Sequence, residues 1–496
     1  MGFPQYADYD GLGLAELVRK REVTPGELVE ACIERIERHN PTLNAVVHKG
    51  YEEARRVAAG PLPDGAFAGV PFLIKDLGLH VKGWPRTSGS RFAEIAADSD
   101  DSELVTRYRA AGVVLVGKSN TPEFGIPGVT HSERLGACRN PWNPDHVSGG
   151  SSGGAASATA AGIVALAHAS DGLGSIRIPA ACCGLVGLKT TRDRNPNGSE
   201  DADRAIGFSV DHVVSRTVRD SAAMLDATGF PEPASPYAPP PKAGPYLEDV
   251  SKSPGKLRIA WSLQTPSSRP LDEEVRDALV RTTELLKGLG HEIIERDLAI
   301  DYRVFYRAQA VVSASNFAAG MQRWVERIGH EPGDGEIGPL ARRAYEAGKK
   351  ITGQQAMWGW QQLRLMNRQI MSLFETADVL VQPVMGGAAP RVDYADPLHV
   401  ELKEYDRRSS ASFPFTPPFN ITGQPSLSLP LWQSRANLPI AMMFTGRYAD
   451  EATLFRLAGQ LEKECPWHAR RPAIWNREPR EHRRVSIALC AVSIVL

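Results

Sequence analysis

The chain has 496 residues, 42% hydrophobic and 23% charged, a composition usual for globular proteins with material for a large core. Its 57 basic and 58 acidic residues leave a formal net charge of -1, which argues against nucleic acid as the main partner, since a polyanion needs clustered positive charge. Six cysteines (Cys32, Cys138, Cys182, Cys183, Cys465, Cys490) show no CxxC spacing, so they read as reduced thiols and not as a disulfide framework or a metal site.

The opening MGFPQYADYD lacks the basic-then-apolar pattern of a secretion signal, and a cytoplasmic protein is expected. Thr24-Pro25-Gly26-Glu27 is a capping box with proline at the first helical position, followed by Leu28, Val29, Cys32, Ile33 and Ile36 at helical spacing. GVPFLI (69–74) predicts a short buried strand ending at Lys75. Ser102 to Ala111 predicts a helix stopped by Gly112, with a buried strand at VVLV (113–116) behind it. Such alternation points to an α/β protein with a mixed or parallel sheet.

SGGSSGGAAS (148–157) opens a block, 148–191, dominated by glycine, alanine and serine. Ile163, Val164, Leu166, Ile176, Ile178, Leu185 and Val186 give it apolar anchors that a disordered linker would lack, so it reads as close-packed backbone with a helix starting near Ser152. Gly229 to Pro245 is a proline-rich, extended connector. Beyond it the pattern predicts a helix over Leu271–Leu286, strands at 379–381, 426–431 and 438–444, and a helix from about Asp450 to Glu464. The closing VSIALCAVSIVL is apolar over 12 residues, short of the roughly 20 that span a bilayer.

Two local matches mislead. GVVLVGKS (112–119) has the letters of a phosphate loop, but Val113, Val114, Leu115 and Val116 favour a strand where that loop needs a turn. GGSSG (149–153) has the letters of a nucleophile elbow, yet the RNPWNPDHVS before it is polar and proline-broken where a buried strand is required.

Taken together, Lys75 at the end of GVPFLIK, GGSSGG (149–154) and ASDGLGSIRIPA (169–180) resemble the amidase signature family of serine hydrolases. GKSNTPEFG (117–125), RNPWNP (139–144) and FNITGQPSLSLP (419–430) are also family-like; 191–206 and the chain after about Glu478 are least so. The resemblance implies an α/β fold with a large mixed twisted β-sheet flanked by helices. It also implies one domain over 1–478, with halves 1–228 and 256–478 around a connector at 229–255 and a tail at 479–496. It further implies amide hydrolysis with no cofactor and no metal, by a Ser–Ser–Lys set. Ser175 would be the nucleophile, Ser151 the bridging serine after a cis Gly150–Ser151 bond, and Lys75 the base, with Ser152 in support. The backbone N–H groups of Gly172, Leu173, Gly174 and Ser175 would form the oxyanion hole, and Asp171 and Arg177 would brace the loop. Leu173 stands where relatives usually carry glycine.

Physical chemistry supports these roles independently. A serine hydroxyl needs a base, and lysine holds its proton to about pH 10 unless it is desolvated. Lys75 follows an apolar strand and would lie among small uncharged residues, the setting that lowers its pKa; strand alternation turns the neighbouring Asp76 to the other face. His131 and His168 read as packing or pocket residues, and Cys183 as core. RNPWN, CCGLVGLK and ITGQPSLSLP suggest the branch acting on bulky amides, nylon oligomers among them, so the expected partners are a small amide or carbamate and water, with no nucleic acid and no membrane, for a monomer or homodimer. Trp324, Met357, Trp358, Trp360 and Met366 are candidates for an apolar acyl pocket or for helix core, and Arg192, Arg194 and 195–203 for an exposed loop at the site entrance. A glutamine amidase subunit serving misacylated tRNA is the competing enzyme reading; a catalytically silent scaffold and a nucleotide-binding protein are the readings from other classes.

Overall fold

A computed structural model describes residues 3–475 apart from 197–203, 233–234, 236 and 267–269. Strands β1 (Val46–Lys49), β2 (Pro71–Lys75) and β3 (Val114–Ser119) form one sheet in the order β1-β3-β2, with β3 antiparallel to β1 and parallel to β2. Strands β4 (His131–Ser132) and β5 (Gly136–Ala137) make a small hairpin. The remaining strands are β6 (Leu166–Asp171), β7 (Val186–Lys189), β8 (Val210–Ser215), β9 (Arg258–Trp261), β10 (Glu292–Glu295), β11 (Val379–Pro383), β12 (Ser426–Gln433) and β13 (Pro439–Gly446). They join in the order β10-β9-β11-β13-β12-β7-β8-β6, a mixed sheet in which β9 runs parallel to β10 and β11 and the other neighbours are antiparallel. Helices flank it, which makes the architecture α/β with a large mixed sheet, as expected. Strands from both sides of the proline-rich connector share this sheet, because β12 pairs with β7. Strand β2 packs against β6, which brings Lys75 to the end of β6.

Strands β2, β3, β6, β7, β8 and β11 are buried at every position, as strands covered on both faces should be. The predicted helix at Pro25–Leu43 begins with the expected capping box, Thr24 and Glu27 exchanging side-chain and backbone hydrogen bonds. The helix Gly153–Ala160, built only from Gly, Ala, Ser and Thr, is buried along its length. Its small residues admit neighbouring backbone: a Cβ on Gly154 would lie 2.2 Å from Asn120 N and 2.6 Å from Asn120 O. The stretch is therefore close-packed floor. Lys118 and Ser119 of GVVLVGKS lie inside β3, so no phosphate loop forms there.

Helices Tyr302–Ile328, Pro339–Lys349 and Gly353–Ser372 pack together as a helical layer. The aromatic residues considered for an acyl pocket belong mainly to its packing. Trp358 and Trp360 lie against the cluster of Phe305, Val312, Leu363 and the buried Met366, Trp324 against Met321 and Tyr345, and Met357 is exposed. The segment at 192–195 is not the exposed loop expected, since Asp193, Arg194 and Asn195 are buried. Arg194 is 2% exposed and ion-paired with Glu451, and Arg192 donates to the carbonyls of Asn420 and Ile421; carboxylate and carbonyl partners draw these side chains inward. The rest of that expected entrance loop, 197–203, and the apolar tail with Cys490 lie outside the described residues. Among the described residues no helix is long and apolar enough to cross a membrane.

Candidate active site

Lys75 closes β2 and is fully buried, and its Nζ donates to Ser151 Oγ at 2.7 Å, Ser170 Oγ at 2.9 Å and Ser152 Oγ at 3.0 Å. The three partners are hydroxyls; none is a carboxylate. Burial pulls the ammonium down to about 7, with Asp211 opposing that shift, Arg204 adding to it and Asp171 opposing. Asp76, the next residue, turns away as strand alternation requires: its carboxylate accepts from Thr87 and lies 3.6 Å from Lys118 Nζ.

The Gly150–Ser151 peptide is cis. Thr130 fastens this corner, donating its hydroxyl to Gly149 O at 2.9 Å and accepting from Gly153 N at 3.0 Å. Ser152 Oγ donates to Ser170 O at 3.1 Å and accepts from Ser170 N at 3.2 Å, so its proton is held by a carbonyl. Beneath Lys75, its backbone N–H donates to His168 Nδ1 at 3.1 Å, which places the ring proton on Nε2, 3.0 Å from Asp211 Oδ1. Burial lowers the His168 pKa, and the ring is neutral.

Ser175 stands half-buried in the turn between β6 and the helix Arg177–Cys183. Its hydroxyl makes no hydrogen bond among the described residues, so the hydrogen-bonded cluster comprises Lys75, Ser151, Ser152 and Ser170, with Ser175 on the adjoining turn. That turn is strongly braced. Arg177 Nε donates to Asp171 Oδ2 at 2.9 Å and its Nη1 to Thr416 O at 3.0 Å. Asn420 Nδ2 donates to Asp171 O and Oδ1, both at 2.9 Å. Burial alone would raise the Asp171 carboxyl; the Arg177 guanidinium and the Asn420 amide hold it well below the usual carboxylate range. Asp171 and Arg177 thus form a buried ion pair within this turn.

The four expected oxyanion donors are not equivalent. The Gly174 N–H is already given to Asp171 Oδ1 at 2.6 Å, because the ionised carboxylate reaches into the turn. The N–H groups of Gly172, Leu173 and Ser175 donate to nothing among the described residues and remain as candidates. Gly174 has φ +139°, and a Cβ there would meet Thr416 Oγ1 at 2.2 Å, while Thr416 donates to Leu173 O at 2.6 Å. Sequence reasoning missed Ser170, Thr130, Thr416 and Asn420. The one signal for Ser170 is its place in ASDGLGSIRIPA, five residues before Ser175 in the same motif. Among the described residues no group of three His, Cys, Asp or Glu side chains is arranged to hold a metal ion.

The sequence profile of the family described as Amidase matches residues 27–455. The 6-aminohexanoate-cyclic-dimer hydrolase of Paenarthrobacter ureafaciens is 35% identical over 482 residues, 94% of this chain and 97% of that protein. A structure of 6-aminohexanoate cyclic dimer hydrolase complexed with substrate superposes with a TM-score of 0.89 at 32% identity, over 96% of this chain and 100% of the other. A bacterial aryl acylamidase of the amidase signature family superposes at 0.85 with 26% identity, over 95% and 99% of the two chains.

Proposed function

The chain belongs to the amidase signature family of C–N hydrolases, and from that premise we propose that it cleaves bulky carboxylic amides, of the 6-aminohexanoate-oligomer or aryl-amide kind, through an acyl-serine intermediate. The observation that carries the reading is a buried lysine whose Nζ meets only serine hydroxyls and whose proton is loosened by burial to about pH 7. Ser175 Oγ attacks the carbonyl carbon while its proton passes through Ser151 to Lys75. In this reading a hydrogen bond from Ser175 to Ser151 forms when substrate is seated. The developing oxyanion is met by backbone N–H groups at Gly172, Leu173 and Ser175. Collapse breaks the C–N bond, the amine leaves with the proton returned through Ser151, and water hydrolyses the Ser175 ester by the same route. An anilide carbamate presents the same carbonyl and belongs to the same substrate range.

The test is amine release from p-nitroanilides, anilide carbamates and 6-aminohexanoate cyclic dimer, with wild type and Ser175→Ala side by side. Mass spectrometry of the quenched wild type should show the acyl group on Ser175. Full activity in Ser175→Ala would assign the nucleophile elsewhere. No turnover of any substrate by wild type would remove this substrate range.

A further inference from the structure

The Ser–Ser–Lys assignment gives no part to Arg204, whose side chain is 15% exposed and ion-paired with the buried Asp211. Arg204 reaches under the site from the loop that follows the undescribed segment, and its Nη2 pairs with Asp211 Oδ2 and donates to Ser209 Oγ. Asp211, opposite Ser170 in the β6–β8 ladder, accepts from His168 Nε2 on its other oxygen. His168 Nδ1 in turn accepts the backbone N–H of Lys75. The space for Arg204 is built in: Gly78, three residues after Lys75, has φ +86°, and a Cβ there would come within 2.3 Å of Arg204 Nη1.

We propose that Arg204 is a positioning residue for the reaction: by neutralising Asp211, which is tied through His168 to Lys75, it keeps that carboxylate from holding the proton on the lysine. The inference rests on the reading of Lys75 as the base. The charge balance is simple. His168 is neutral, Asp211 is negative and Arg204 positive, so the group presents no net charge to Lys75. Without Arg204, an uncompensated buried carboxylate would stabilise the ammonium. The directions agree, since Asp211 raises and Arg204 lowers the Lys75 pKa. The other ionisable groups around Lys75 are already balanced or neutral. Asp171 on β6 is paired with Arg177, and Asp76 with Lys118 of β3. Tyr108 lies against His168, with ring centroids 5.9 Å apart, and burial raises its phenol. The helix Pro25–Leu43, packed on β2, turns Cys32 and His39 inward, both kept uncharged by burial, and the helix Gly153–Ala160 carries no charge.

The experiment has two readouts on Arg204→Gln, Arg204→Lys and the double variant Arg204→Gln/Asp211→Asn. The first is the acid limb of the kcat/KM profile for an anilide. Arg204→Gln should move it upward by about 1 unit, with the loss shrinking as pH rises, and both Arg204→Lys and the double variant should return it toward the wild-type position. The second reads Lys75 without turnover: the ¹³Cε shift of labelled lysine against pH, assigned by its absence in Lys75→Met. It should rise by the same amount in Arg204→Gln. A Lys75 titration unmoved by Arg204→Gln overturns the inference. A moved titration with an unmoved acid limb would keep the electrostatic link but refute Lys75 as the base, and with it the positioning role in catalysis. A loss in Arg204→Gln that is equal at all pH values would make Arg204 a purely structural residue.

Discussion

Two lysines lie buried on neighbouring strands, and their surroundings differ in one respect. Lys118, in β3, faces the Asp76 carboxylate at 3.6 Å and donates to Pro85 O at 2.6 Å. Lys75, in β2, meets three serine hydroxyls and no carboxylate. Burial pushes both ammonium pKa values down and a carboxylate opposes each shift, but Asp76 touches Lys118 whereas Asp211 reaches Lys75 only through His168, and Lys75 falls to about 7. Burial alone therefore does not make a base. What distinguishes the two sites is how far each proton's loss is opposed by a negative neighbour, so one lysine fits a structural ion pair and the other fits proton transfer.

That contrast can be broken by mutation. The largest effect should come at the proposed chemistry: Ser175→Ala and Lys75→Met should each lower kcat by about 10³-fold or more, read by amine release, while urea unfolding shows Lys75→Met within about 1–3 kcal/mol of wild type. Lys118→Met should do the reverse. It strands the Asp76 carboxylate and should cost about 3–5 kcal/mol in the same unfolding measurement, with kcat nearly retained in protein that remains folded. The contrast sharpens with pH. Only the unprotonated amine accepts a proton, so kcat/KM should rise through about pH 7 and level off above it, with activity at pH 6 about tenfold below the plateau. The smallest effect is Ser170→Ala, which removes one of three hydroxyls from Lys75 and should cost about 2–10-fold in kcat, the size of one hydrogen bond. A loss as large as that of Ser175→Ala would make Ser170 part of the proton path.

Much of this was legible beforehand where local rules dominate. The capping box at Thr24 and Glu27, the strand ending at Lys75 and the α/β alternation follow from spacing alone. The site was legible for a different reason: a motif resemblance supplied Lys75, Ser151 and Ser175, and a desolvation argument supplied the low lysine pKa. What stayed hidden depends on partners far along the chain. LAHASD (166–171) has no two-residue alternation because it is buried on every side, so β6 and Ser170 were not read as a strand. Arg194 looked exposed from composition, yet Glu451 lies 257 residues away and pulls it inside. The motif offers Gly174 as an oxyanion donor, but its N–H is occupied by Asp171, a contact that only the folded turn creates.

The brace on the Ser175 turn carries a consequence for biosynthesis. Thr416 holds the carbonyl of Leu173 across 243 residues, and Asn420 holds Asp171 across 249. A ribosome adding about 5–20 residues per second needs roughly 12–50 s to travel that stretch. Throughout that interval the turn carrying Ser175, the proposed nucleophile, has been synthesised but lacks the side chains that fix it, so the geometry proposed for catalysis is assembled only late in synthesis.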